Sequence, residues 1–142
     1  IAHANQALRV TGHSDAVQRF VGIRRKKQEH FAVCLLDGSH QHIKTTVTAV
    51  GTVNRAHVHP RDVFREAIKK NAVAIVVGHN HHSGVVTPSE QDDYLIERLV
   101  KAGDIIGITV LDSIIVSKDS SYSTLESNPA LLQTSSVNAG WA

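Results

Sequence analysis

AVAIVVGHNHHSGVVTPSEQDDYLIERLVKAG, residues 72–103, passes from a continuous apolar run through a short loop into an amphipathic segment. The run AVAIVVGHN is rich in β-branched residues, the pattern of a strand covered on both faces, and it delivers His79 to the strand's end. The loop HHSGVVTP follows. Ser89 then opens a helix on which Leu95, Ile96, Leu99 and Val100 fall on one face, with Gly103 expected to end it. A buried strand followed directly by such a helix indicates an α/β chain.

Working outward, HPRDVFREAIKKN (59–71) predicts a helix with Pro60 in its first turn and Val63, Phe64, Ala67 and Ile68 on its buried face. HFAVCLL (30–36) and IKTTVTAV (43–50) predict two strands joined by a turn at Asp37-Gly38. Ser14-Asp15 predicts the cap of an N-terminal helix over about residues 14–28, with Val17, Phe20 and Val21 at helical spacing. On the C-terminal side, IIGITVL and SIIVS predict two further short strands. From Lys118 onward the chain turns Ser- and Asn-rich, which predicts one domain over residues 1–125 and a partly ordered tail over 126–142.

Composition narrows the function classes. A chain of 142 residues builds one compact domain, and its 42% hydrophobic and 20% charged content is that of a globular protein. No apolar run approaches the ~18 residues of a membrane span. The first residues lack the features of a secretory signal, so the cytosol is the expected compartment. The chain has no Met, which points to a piece of a longer protein. The single cysteine, Cys34, sits in an apolar run, and this excludes disulfide frameworks and Cys-rich zinc fingers. A net charge of +2 and a sequence pI near 8.9 owe most to one run, Arg24-Arg25-Lys26-Lys27. That run reads either as a solvated helix end or as a weak contact for DNA phosphates.

Histidine is the unusual residue, ten in all. Random placement would give ~0.7 H-x-H pairs, and the chain has three: His40/His42, His57/His59 and His79/His81. Only the last is followed by Ser89 and Asp92 in the pattern H-x-H-x7-S-x2-D, for which chance predicts ~0.003 occurrences. Residues i and i+2 of an extended segment share a face, so His79 and His81 can point at one centre while Asp92 approaches from the helix. Two histidines, one carboxylate and an open fourth position suit a catalytic zinc. Ser89-x-x-Asp92 also satisfies the capping-box pattern, which needs no metal. The other two histidine pairs have no carboxylate at a telling distance and read as structural or surface residues. One cysteine cannot supply the P-C-x-x-C of nucleobase deaminases, and no H-E-x-x-H helix is present.

HNHHSGVVTPSEQDD (79–93) resembles the HNHPSG-x-x-TPS-x-x-D signature of the RadC-like branch of the JAMM (MPN-plus) metalloproteases. GTVNRAHVHPRDVFREAIKKNA (51–72) resembles the segment that precedes it there, and the similarity spans about residues 14–125. The resemblance implies an MPN (JAMM) fold, a curved mixed β-sheet flanked by helices. It implies Zn2+ held by His79, His81 and Asp92, Ser89 hydrogen-bonding near the metal-bound water, and Glu29 as general acid/base. Spacing alone does not select Glu29 over Glu66, Glu90 or Glu97. The implied activity is hydrolysis of a peptide or isopeptide amide in a protein or peptide substrate. The alternative is a DNA-associated repair or recombination module of the RadC type, in which zinc is structural or the site unused. The chain departs from the signature at His82, where the family has Pro and which is a further candidate ligand, at Val85-Val86, and at Ser113.

Overall fold

The computed structural model describes residues 9–53 and 57–134. Its centre is a five-stranded mixed sheet in the order β2-β1-β3-β4-β5, from His30–Leu36 (β1), His42–Val50 (β2), Ala74–Asn80 (β3), Thr109–Val116 (β4) and Ser121–Ser123 (β5). β1 runs antiparallel to both β2 and β3, β3 and β4 are parallel, and β5 returns antiparallel to β4. The helices are His13–Gln18 (α1), Pro60–Lys69 (α2), Glu90–Ile106 (α3) and Thr124–Ser127 (α4). Parallel strands cannot be joined by a tight turn, and α3 makes the crossover between β3 and β4.

Strand alternation divides the core into two layers. Phe31, Val33, Leu35, Ile75 and Val77 face one side, where Val63, Phe64 and Ala67 of α2 and Leu95, Ile96, Leu99 and Val100 of α3 cover them. Ala32, Cys34, Leu36, Ala74 and Val76 face the other, against Ala16, Val17 and Phe20 of the α1 region. β3 is buried along its whole length. That is why its sequence is apolar at consecutive positions rather than at every second one.

The alternation places Gly78 under Phe20. A Cβ built there would lie 2.6 Å from the Phe20 ring, closer than any packed side chain tolerates. Gly78→Ala is expected to cost about 1–3 kcal/mol by forcing the ring or the strand to shift. A thermal melt showing the variant as stable as the parent would overturn this packing account.

Several sequence expectations are corrected. The helix expected over about 14–28 ends at Gln18, and a 3-10 turn over Val21–Ile23 follows it. Ile68 is 58% exposed instead of buried. α3 runs past Gly103 to Ile106, and its left-handed cap is Gly107 at φ 81°. Gly103 is instead a buried contact against the Ile108 backbone. The two short strands expected after it are one, β4. Asp112 does not interrupt β4, because its buried carboxylate accepts from Ser113 N at 2.7 Å, Ser123 Oγ at 2.6 Å and Leu125 N at 2.9 Å. The partly ordered tail expected over 126–142 is not among these corrections: its described part has a 3-10 turn at Pro129–Leu132 and Leu132 joins the core, and the rest lies outside the described residues. Among the described residues no helix is long and apolar enough to cross a membrane.

Candidate metal centre

Three side chains meet where β3 ends and α3 begins. His79 occupies the last turn of the β3 pleat on the α3 face and stacks on Phe31, with ring centroids 6.2 Å apart. His81 follows two residues later. Asp92 lies in the first turn of α3 and is buried. Nε2 of His79 is 3.1 Å from Nε2 of His81, and the Asp92 oxygens lie 3.3 Å from His79 Nε2 and 3.2 Å from His81 Nε2. This is the only cluster of three or more potential metal-ligating side chains among the described residues.

The arrangement fits a cation. Donors about 2.0–2.1 Å from a tetrahedral zinc stand about 3.3 Å from one another; the two Nε2 atoms are 3.1 Å apart, Asp92 turns one oxygen to each ring at 3.3 and 3.2 Å, and one ligand atom from each residue lies within 4.8 Å of the other two. His81 Nδ1 lies 2.8 Å from the Val85 carbonyl, which can only accept. In the neutral ring that contact places the proton on Nδ1 and aims the Nε2 lone pair into the cluster, whereas the protonated ring donates from Nε2 to Asp92. His79 Nδ1 is buried without a hydrogen-bond partner among the described residues.

Electrostatics point the same way. Burial works against the charged form of Asp92, but hydrogen bonds from His79 and His81 outweigh it and hold the carboxyl well below the usual carboxylate range. The hydrogen bond to Asp92 is the main cause that raises His81, opposed by desolvation and helped by Glu29. The convergence point therefore favours positive charge.

Ser89 is the N-cap of α3, and the capping box is present: its Oγ accepts from Asp92 N at 3.1 Å while Asp92 Oδ2 accepts from Ser89 N at 2.8 Å. Capping and the histidine cluster are thus compatible functions of one carboxylate, not rival readings. Because Ser89 Oγ accepts within the cap, its own proton remains available to donate.

Glu29 immediately precedes β1. The antiparallel register pairs Phe31 with His79, and continuing it by two residues sets Glu29 opposite His81. Its charge is felt at His81. Its rivals are occupied elsewhere: Glu66 pairs with Lys44 and Lys69, and Glu97 with Lys101, on outer helix surfaces, while Glu90 is an exposed residue in the first turn of α3.

Sequence reasoning missed Asn80. It lies between the two histidines and so faces the opposite side of the sheet. Its fully buried amide accepts from His30 N at 2.6 Å and donates to the carbonyls of Lys26 at 3.0 Å and Gln28 at 3.1 Å. Three hydrogen bonds thereby fasten the backbone on both sides of Glu29. The available signal was strand parity, which sends the central residue of H-N-H inward, where an amide must find partners.

Histidines of the other two H-x-H pairs make local contacts. His59 caps α2 by accepting from Arg61 N, His57 bonds the Val50 carbonyl and His42 bonds Thr45. His82 is exposed and stands outside the cluster. Burial pushes the Cys34 thiol up to about 11, so it is no thiolate nucleophile.

Residues 11–129 match the model of the RadC-like JAB domain. The chain is 42% identical over 105 residues to a UPF0758 protein of Desulforamulus reducens, covering 74% of this chain and 46% of that protein. A UPF0758 protein of Finegoldia magna is 47% identical over 95 residues, covering 67% and 43% of the two chains. One from Clostridioides difficile is 40% identical over 114 residues, covering 79% and 48%. The matched region is thus about half the length of these curated relatives.

Proposed function

The chain belongs to the RadC-like JAB domain family, and from that premise we propose that it is a zinc-dependent hydrolase that cleaves a peptide or isopeptide amide bond. The observation that carries this reading is the convergence of His79 Nε2, His81 Nε2 and the Asp92 carboxylate within metal-binding distance of one another, with the Glu29 charge felt at His81. His79, His81 and Asp92 would hold the metal. Zinc bound there supplies a Lewis acid and lowers the pKa of a coordinated water toward ~7.

The chain's own residues do the rest. Glu29 accepts the proton of the attacking water and returns it to the departing amine. Asn80 fastens the main chain on both sides of Glu29 and so limits the positions from which the carboxylate can act. The Ser89 hydroxyl donates to the oxygen of the carbonyl under attack. A cytoplasmic setting suits the unpaired, buried Cys34.

Metal analysis tests the reading first. The purified protein is expected to carry about one zinc per chain, and chelation is expected to abolish cleavage of an isopeptide-linked fluorogenic substrate, with zinc restoring it. A protein that binds no divalent metal would overturn it. A second reading, a DNA-associated module with structural zinc, draws on the exposed basic run at Arg25, Lys26 and Lys27. It predicts strongly salt-dependent DNA binding without any hydrolysis.

A further inference from the structure

A concave basic pocket adjoins the metal centre. It has a volume of about 320 Å³, and its walls are Arg24, Arg25, Lys26, Lys27 and Lys118 together with His81, His82 and Gly84. No carboxylate is among them. Two segments far apart in sequence meet here, and Arg24 joins them: its Nε donates to the Ser117 carbonyl at 2.9 Å and its Nη2 to the Ser120 carbonyl at 3.0 Å. Arg24 is therefore the clamp that brings Lys118 beside the 24–27 run. Collecting like charges in one hollow raises the potential there and is unfavourable until an anion enters.

We propose that this pocket binds acidic side chains of a peptide substrate that flank the scissile amide, and this rests on the hydrolase reading above. The location carries the class of ligand. His81 is both a wall of the pocket and a member of the metal cluster, so a chain held at the metal by its amide passes directly into the basic hollow. A volume of about 320 Å³ accommodates a short peptide segment. A nucleic-acid duplex asks instead for a basic stripe along a strongly basic domain. Here the whole chain has a net charge of only +2, with Lys and Arg totalling 15 against 13 acidic residues, and the hollow gathers five of those cations.

The test is fluorescence anisotropy with a fluorescein-labelled octapeptide carrying four consecutive Glu, compared with its Gln counterpart. The zinc-loaded protein is expected to bind the Glu peptide about tenfold more tightly at low salt, because several exposed charge pairs each contribute a modest factor. The preference should shrink as salt shortens the screening length. Arg25→Glu with Lys118→Glu should abolish the preference without changing zinc content, and Arg25→Gln with Lys118→Gln should reduce it. Both side chains are exposed, so these variants keep the fold. Equal affinity for the two peptides would overturn the proposal. So would a DNA duplex that displaces the Glu peptide and binds more tightly than it, since the site would then be a phosphate site. If the preference holds and neither peptide nor isopeptide is cleaved, the hydrolase reading falls and the pocket's acidic-peptide binding stands. If cleavage occurs without preference, the reverse follows.

Discussion

Glu29→Gln is expected to lower turnover by roughly 10²–10⁴-fold, the usual contribution of a positioned general acid/base, while leaving zinc content unchanged. The amide matches the carboxylate in shape but neither accepts the proton of water nor returns it to the amine. Glu29 is outside the His79, His81 and Asp92 cluster, so removing its charge leaves that donor set intact. The main chain around it is held by the Asn80 amide at Lys26, Gln28 and His30 and by Gly51 N at its own carbonyl, so the segment should stay in place. Paired metal analysis and steady-state kinetics check both halves. Full activity in the variant would remove Glu29 from the reaction, and loss of zinc would make it a determinant of the metal site instead.

Asp92→Asn should weaken zinc binding at least a hundredfold and abolish activity with it. Outer-shell partners of metal ligands are worth about 10–100-fold in affinity, and a direct ligand exceeds them. Asparagine is the informative replacement. Its side-chain oxygen can still accept from Ser89 N and so preserves the start of α3, whereas Asp92→Ala also removes the reciprocal half of the capping box, a hydrogen bond of about 0.5–1.5 kcal/mol, and leaves the Ser89 cap itself in place. A melting curve near the parent's for Asp92→Asn, lower for Asp92→Ala, with zinc lost in both, separates ligation from capping. Zinc retained by Asp92→Asn would mean that the two histidines suffice.

The central βα unit was legible because each of its signals has one physical meaning. A strand covered on both faces must be apolar throughout, Ser89 with Asp92 must begin a helix, and alternation must aim His79 and His81 at the same side. What the sequence hid was set by distant contacts. The segment after Gln18 has helical spacing, yet its backbone carbonyls at Lys26 and Gln28 are claimed by Asn80 and its Arg24 side chain by the β4–β5 turn. Those tertiary bonds outweigh a weak local preference. Gly103 looked like a helix stop because glycine serves both to end helices and to allow close approach, and here it does the second. Asp112 looked like a break in a strand because the three donors that satisfy it come from elsewhere in the fold. Glu29 needed the family resemblance, since nothing near it in sequence marks a carboxylate whose charge is felt at His81 only once β1 lies beside β3.

The buried amide of Asn80 grips the 26–30 stretch by main-chain atoms from below, while the Arg25, Lys26 and Lys27 side chains project outward. The main chain on either side of Glu29 and the charged side chains beside it therefore owe their placement to different atoms. On the hydrolase reading, evolution or an engineer can rewrite the charges of that exterior and change what the protein recognises while the main chain that carries Glu29 stays where it was.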